Sequence, residues 1–187
     1  QLPQGAARRT LALRIKLKAA RQLQTALSAL DAARLLAKHR AFSAAAAQSI
    51  VRGLAIELIN DAHDPDQLNA AWNGLEPAER AMADVAIHAA RRMHQLGGST
   101  SQMREWLLPA WERFASGSNS LPSLQSDRLV RVLEESLTDV DAAWLSRIEA
   151  AQHKRPHDAY LQYLAGAACL QRQLWGKAQQ LLQQAAP

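Results

Sequence analysis

Cysteine is almost absent from the sequence: one residue, Cys169, in 187. A single thiol excludes an internal disulfide framework and any zinc site built from several cysteines. Breakers are also scarce, with 8 glycines and 7 prolines. No apolar run approaches the roughly 18 residues a membrane-crossing helix needs. The opening "QLPQGAARRTLALRIKLKAAR" is too interrupted by charge for a signal peptide. No stretch alternates apolar and polar residues, so nothing predicts a sheet. No glycine-rich G-x-G-x-x-G loop follows a strand, which leaves no dinucleotide-binding fingerprint. The sequence does not open on methionine, so it is expected to be cut from a longer chain, with any membrane anchor in the remainder.

What is present is helical. Hydrophobic residues make up 48%, enough for a core at this length. Ala, Leu, Gln and Arg dominate and favour helices. The formal charge of +5 is uneven. Residues 1–40 carry nine Lys/Arg and one Asp, a net of +8, while the remainder has thirteen Lys/Arg against sixteen Asp/Glu. The basic character is therefore local, and the high isoelectric point does not imply nucleic acid. No helix-turn-helix signature and no aromatic–basic interleaving supports that partner either.

Start and stop signals predict about ten helices. The first runs from Arg8 to Leu23 and the second from Thr25 to His39. Ser43 is the expected N-cap of the third. Pro65 opens a short helix ending near Gly74, and Pro77 opens one continuous helix that Gly97 and Gly98 close. Ser99 or Thr100 caps the next, which Pro109 is expected to kink or divide. Residues 116–125 read as a flexible loop. Further helices are expected from Asp127 to Leu137, Asp139 to about Ala151, Asp158 to Gln173, and from Trp175 onward.

Helices of this length in pairs predict an all-α fold: an α-solenoid of antiparallel helix pairs in a single helical-repeat domain over 1–187. The clearest unit is 157–186. Leu164, Gly166, Ala168 and Cys169 face a neighbour. Trp175, Ala178, Leu182 and Ala185 follow at helical spacing, with Trp175 as a wedge between helices. Small residues belong where two helices cross closely. The unit resembles a tetratricopeptide repeat, with Gly166, Ala178 and Ala185 at its small positions and Trp175 at its aromatic one. Residues 10–39 fit the template less well. Ala20 faces Ala29 there, followed by Ala33 and Leu36, and Lys16 departs from the pattern. Residues 43–137 read as degenerate helix pairs.

Four stretches carry a more specific resemblance: "ARLLAKHRAFS" (33–43), "AWNGLEPAERAMADVAIHAARRM" (71–93), "LPAWERF" (108–114) and "LQRQLWGKAQQLL" (170–182). In this order they resemble the C-terminal half of the HemY family, bacterial tetratricopeptide proteins associated with haem biosynthesis. The resemblance implies a protein-interaction scaffold near the late steps of protohaem synthesis, binding its partners through a concave groove. Those partners would be other proteins of haem biosynthesis. It further implies an N-terminal membrane anchor outside this sequence, a parent in the bacterial inner membrane and a cytoplasmic repeat domain. The alternative is a porphyrin- or haem-binding module that hands tetrapyrrole between enzymes. An enzyme is not expected, nor is a cofactor beyond that porphyrin or haem.

The candidate chemical residues divide accordingly. Cys169 lies in "AGAACLQR", apolar and small, without the base a nucleophile needs, and reads as core. The six histidines, His39, His63, His88, His94, His153 and His157, form no ligand motif. Any of them can ligate haem iron in principle, but no spacing singles one out. Lys177 reads as a solvated lysine whose stem covers Trp175. The tryptophans at 72, 106, 111, 144 and 175 read as packing wedges, with Trp106 and Trp111 the two that could instead line an exposed groove. A basic stripe stands out: Arg14, Lys18 and Arg21 share one helical face beside Leu13, Leu17 and Ala20. By resemblance it faces the groove and takes an acidic ligand: an acidic protein segment, porphyrin propionates or anionic headgroups. The plain alternative is a solvated face. Tyr160 and Tyr163 occupy the comparable groove positions of the last repeat.

Overall fold

The structure is a computed structural model that describes residues 10–15, 26–117 and 121–185. Among them every regular element is helical and no strand occurs. Residues 10–15 are helical (α1). There follow α2 (Ala26–Lys38), α3 (Ala44–Asn60), α4 (Pro65–Asn73), α5 (Pro77–Arg80), α6 (Ala83–Gln95) and α7 (Thr100–Ala115). Then come α8 (Ser123–Glu135), a 3-10 turn (Leu137–Asp139), α9 (Ala142–Lys154), α10 (Ala159–Gln171) and α11 (Trp175–Ala185). The chain divides into two compact units, Gln1–Val85 and Ala86–Pro187, and the division falls within α6.

Local chemistry sets most helix starts. Ser43 accepts the Ala46 N–H at 3.2 Å, Asp64 that of Gln67 at 2.8 Å, and Ser99 that of Gln102 at 3.3 Å. Each satisfies a donor the first turn would leave open. Three helices end alike. After α2, α6 and α10, bonds from Ala41, Gly98 and Leu174 reach back to Leu36, Met93 and Cys169 at 2.9–3.0 Å. This closure needs a left-handed residue before the donor. Gly97 supplies it after α6 (φ 70), but Arg40 (φ 52) and Gln173 (φ 59) supply it after the other two.

Several expected boundaries are corrected. The helix from Pro77 breaks at Ala81–Met82, where the Met82 N–H reaches only three residues back, to Glu79. Good helix formers occupy the break, so its cause is tertiary: Arg34 grips Glu79, and Arg80 folds back onto the Leu75 carbonyl at 3.0 Å. Pro109 lies inside α7 without dividing it. α8 begins at Ser123 rather than Asp127, its first turn bonded to the Pro122 carbonyl. Asp141, not Asp139, caps α9 by accepting the Trp144 N–H at 2.7 Å. Asp139 is engaged elsewhere: it takes Thr100 Oγ1 at 2.5 Å and Arg104 Nη1 at 2.9 Å.

In the first unit α2 and α3 form a packed hairpin, and α4 and α5 lie against α3. Leu30, Leu36, Leu54, Ile59, Leu68 and Trp72 fill its core. In the second unit α10 packs on α8, α9 and α11. Its sequence explains that position: "YLAGAACL" is apolar all round, the mark of a helix covered on every side. Leu161, Leu164, Ala165, Ala168 and Cys169 are all fully buried. Gly166 permits the α10–α11 crossing: a Cβ there would lie 2.7 Å from Leu182 Cγ and 3.2 Å from the Leu182 nitrogen. An aromatic cluster completes this core. Trp111 lies 5.8 Å from Phe114 and 6.0 Å from Trp144, and Phe114 meets Tyr160 edge-on at 6.5 Å.

Candidate functional site

Of the basic stripe, Lys18 and Arg21 lie outside the described residues. Arg14 is exposed, donates to the Ala41 carbonyl at 2.9 Å, and places its guanidinium 5.3 Å from the Phe42 ring centroid. It thus holds α1 to the α2–α3 turn while keeping its charge at the surface.

Tyr160 and Tyr163 sit on α10 facing α8. Tyr160, 42% exposed, donates its hydroxyl to Asp127, and Tyr163 donates to Glu134. These hydrogen bonds stabilise the protonated phenols and raise both above the ordinary tyrosine range. The result is a face of aromatic rings with carboxylates beside them. Asp127 and Glu134, seven apart on α8, were missed in the sequence, although that spacing puts them on one helical face.

Cys169 is buried as its apolar surroundings imply. Burial first, and the neighbouring Glu149 charge second, push its thiol up, the reverse of what activates a nucleophile. Its Sγ lies 3.7 Å from Glu149 Oε1, which also takes Lys177 Nζ at 2.7 Å. Lys177 remains exposed to solvent while it pairs with that carboxylate, and the bond raises its ammonium above the ordinary lysine range. Nor is Trp175 a wedge: it is 62% exposed beside exposed Leu170 and Leu174. The other four tryptophans are buried, so Trp106 and Trp111 line no open groove.

His88 is half-buried and held below the usual histidine range, chiefly by burial and then by Arg91, Arg92 and Arg128. Among the described residues no group of three or more His, Cys, Asp or Glu is placed to hold a metal.

One concavity went unread in the sequence. A groove of about 780 Å³ opens in the first unit between α2, α3 and α5. Its floor is Leu35, Ala44, Ala47, Val51 and Met82. At one end Arg34 binds Glu79 in a two-pronged pair at 2.8 and 2.5 Å. Glu79 is only 3% exposed. Arg34 also meets Asp31 at 3.0 Å and Glu76 at 3.8 Å, and donates to the Gly74 carbonyl at 3.1 Å. Three carboxylates around one guanidinium hold it charged, well above its ordinary range, with the Glu79 bond the largest cause. The sequence signal was faint: Leu35 is an apolar residue on an otherwise solvated face of α2 and is 41% exposed.

Comparison of the chain with protein-family models, with curated proteins and with solved structures gives no match. Among the described residues no helix is long and apolar enough to cross a membrane.

Proposed function

We propose that this chain is an interaction scaffold of the HemY-like kind: a tetratricopeptide-like stack of helix pairs that holds proteins of late protohaem synthesis. The observation that carries the reading is the α10–α11 hairpin. Gly166 lies directly beneath Leu182 and Ala178 is buried, so two of the small positions of that repeat template sit at a close helix crossing. The "QLWGKA" stretch that carries much of the resemblance belongs to the same hairpin.

A binding role draws support from the surfaces. Tyr160 and Tyr163 offer rings with flanking carboxylates, and Arg14 offers a cation at the turn between α2 and α3. Binding energy would reside in a few such anchors, with charge setting the rate of encounter. The buried, high-pKa thiol of Cys169 favours this reading over covalent catalysis. In the same proposal the parent protein is anchored in the bacterial inner membrane by a segment outside this sequence, with the repeats on the cytoplasmic side.

Two measurements test it. Reversing Arg14, Lys18 and Arg21 to Glu should reduce the proteins recovered from native membranes; unchanged recovery removes the stripe from the binding surface. Titrating haem and protoporphyrin into the purified chain should give no saturable absorbance change. A saturable change at micromolar ligand would replace the scaffold with a tetrapyrrole carrier.

A further inference from the structure

The groove between α2, α3 and α5 has the dimensions and the charge pattern of a seat for one more helix. Leu35 occupies the middle of the α2 wall, between Asp31 and Lys38. Those two residues are seven apart, two helical turns or roughly 10 Å. The α3 wall is Ala44, Ala47, Gln48 and Val51, which again spans two turns on one face. Its alanines leave room for a backbone to come close, as small residues do wherever helix axes approach. Ala78 on α5 and Met82 in the break that follows it close one side. The lining is open along its length rather than enclosed, which suits a helix laid into a groove better than an engulfed small molecule.

Charge decides what the occupant looks like. At the Asp31 end, three carboxylates (Asp31, Glu76, Glu79) face a single guanidinium, leaving a net of −2, and Asp31 and Glu76 are exposed. At the other end stands Lys38, exposed and without a carboxylate partner among the described residues. A helix tends to carry acids in its first turn and bases in its last, because its dipole favours them there. Such a helix matches both ends of this groove only when it runs antiparallel to α2. Its acidic start then meets Lys38 and its basic end meets Asp31 and Glu76.

We propose that this groove docks an amphipathic helix of a partner protein, antiparallel to α2, with its apolar stripe on Leu35, Val51 and Met82. The proposal rests on the scaffold reading and adds to it the site and the chemistry of the partner. It uses none of Arg14, Lys18, Arg21, Tyr160 or Tyr163, so the two fail separately. If the groove does not bind while reversal of the stripe still reduces partner recovery, only the groove assignment falls.

The probe is a fluorescein-labelled peptide of roughly four helical turns, with leucines at i, i+3, i+4 and i+7, two Glu in its first turn and two Lys in its last. It is titrated by fluorescence anisotropy into the whole chain at low salt. Saturable binding at about 10–100 μM is expected. Leu35→Asp should abolish it, and Lys38→Glu should weaken it about tenfold. The Lys38→Glu variant should regain that factor when the two peptide glutamates become lysines. Circular dichroism of both variants checks that these surface substitutions leave the fold intact. Absence of saturable binding at about 100 μM overturns the proposal, as does binding indifferent to Leu35→Asp and Lys38→Glu. A wild-type dimer in sedimentation equilibrium that Leu35→Asp dissociates would also overturn it, because the occupant would then be a second copy of the chain.

Discussion

Arg34 and Glu79 stand 45 positions apart in sequence, yet their side chains join through two parallel bonds at 2.8 and 2.5 Å. The pair ties α5 to α2, with the Glu79 carboxylate also accepting the Glu76 N–H at 2.8 Å. Removing one partner leaves a buried charge alone, which typically costs about 3–5 kcal/mol. Arg34→Met alone should therefore lower unfolding stability by about 3 kcal/mol. Arg34→Met combined with Glu79→Leu should recover most of that loss. Chemical denaturation of the single and double variants checks both. A double variant as unstable as the single one would mean that the pair's value lies in its geometry rather than in charge compensation.

The α10–α11 crossing makes a prediction that runs against helix propensity. On propensity alone Gly166→Ala should stabilise α10 by about 1 kcal/mol. A Cβ would meet Leu182 Cγ at 2.7 Å and its backbone nitrogen at 3.2 Å, so the helices must move apart. A net loss of about 1–2 kcal/mol is expected. Leu182→Ala should be less harmful in the Gly166→Ala background than alone, and a denaturation cycle measures that coupling.

Gln173 supplies the left-handed residue that ends α10, at φ 59. Such a conformation costs a residue with a Cβ roughly 1–2 kcal/mol, and glycine is free of that cost but loses more chain entropy on folding. Gln173→Gly should raise stability by about 0.5 kcal/mol, whereas Gln173→Val should lower it by more. Thermal melts of the two variants should shift in opposite directions.

Asp139 links acid stability to a single carboxylate. The bond from Thr100 first, and then Arg104, hold it below the ordinary aspartate range. Its stabilising contribution is thus complete above the unfolded value of about 4 and is lost as pH falls through the lower folded value. Arg104 is only 1% exposed, while Asp139 is open to solvent. Asp139→Asn should therefore cost only about 1 kcal/mol at neutral pH. The gap between wild type and variant should close as the urea midpoint is followed from pH 6 towards pH 2. A constant gap would contradict the assignment.

The parts of this structure that local chemistry decides were legible in the sequence. Ser43, Ser99 and Asp158 cap the helices they precede, and Pro65 with Gly74 brackets α4 as expected. What could not be read was decided between elements distant in the chain. Asp139 and Asp141 are equally good caps by composition, and only the arrival of Thr100 and Arg104 at Asp139 settles which one serves. The break after Arg80 lies among good helix formers because Arg34 reaches Glu79 from another helix. Trp175 shows the limit of spacing arguments: its position in the pattern says where it points, not whether a neighbour stands there to cover it. The groove escaped notice for the same reason, since its walls come from three helices and its signal on any one of them is a single exposed leucine, Leu35.

The central proposal is that this chain holds proteins of late protohaem synthesis. The most direct measurement is quantitative mass spectrometry of what the immobilised wild-type chain retains from gently solubilised native membranes, with an unrelated helical protein as control. The account predicts selective enrichment of enzymes acting in the last steps of protohaem formation. Recovery of those enzymes no higher than on the control surface would contradict it.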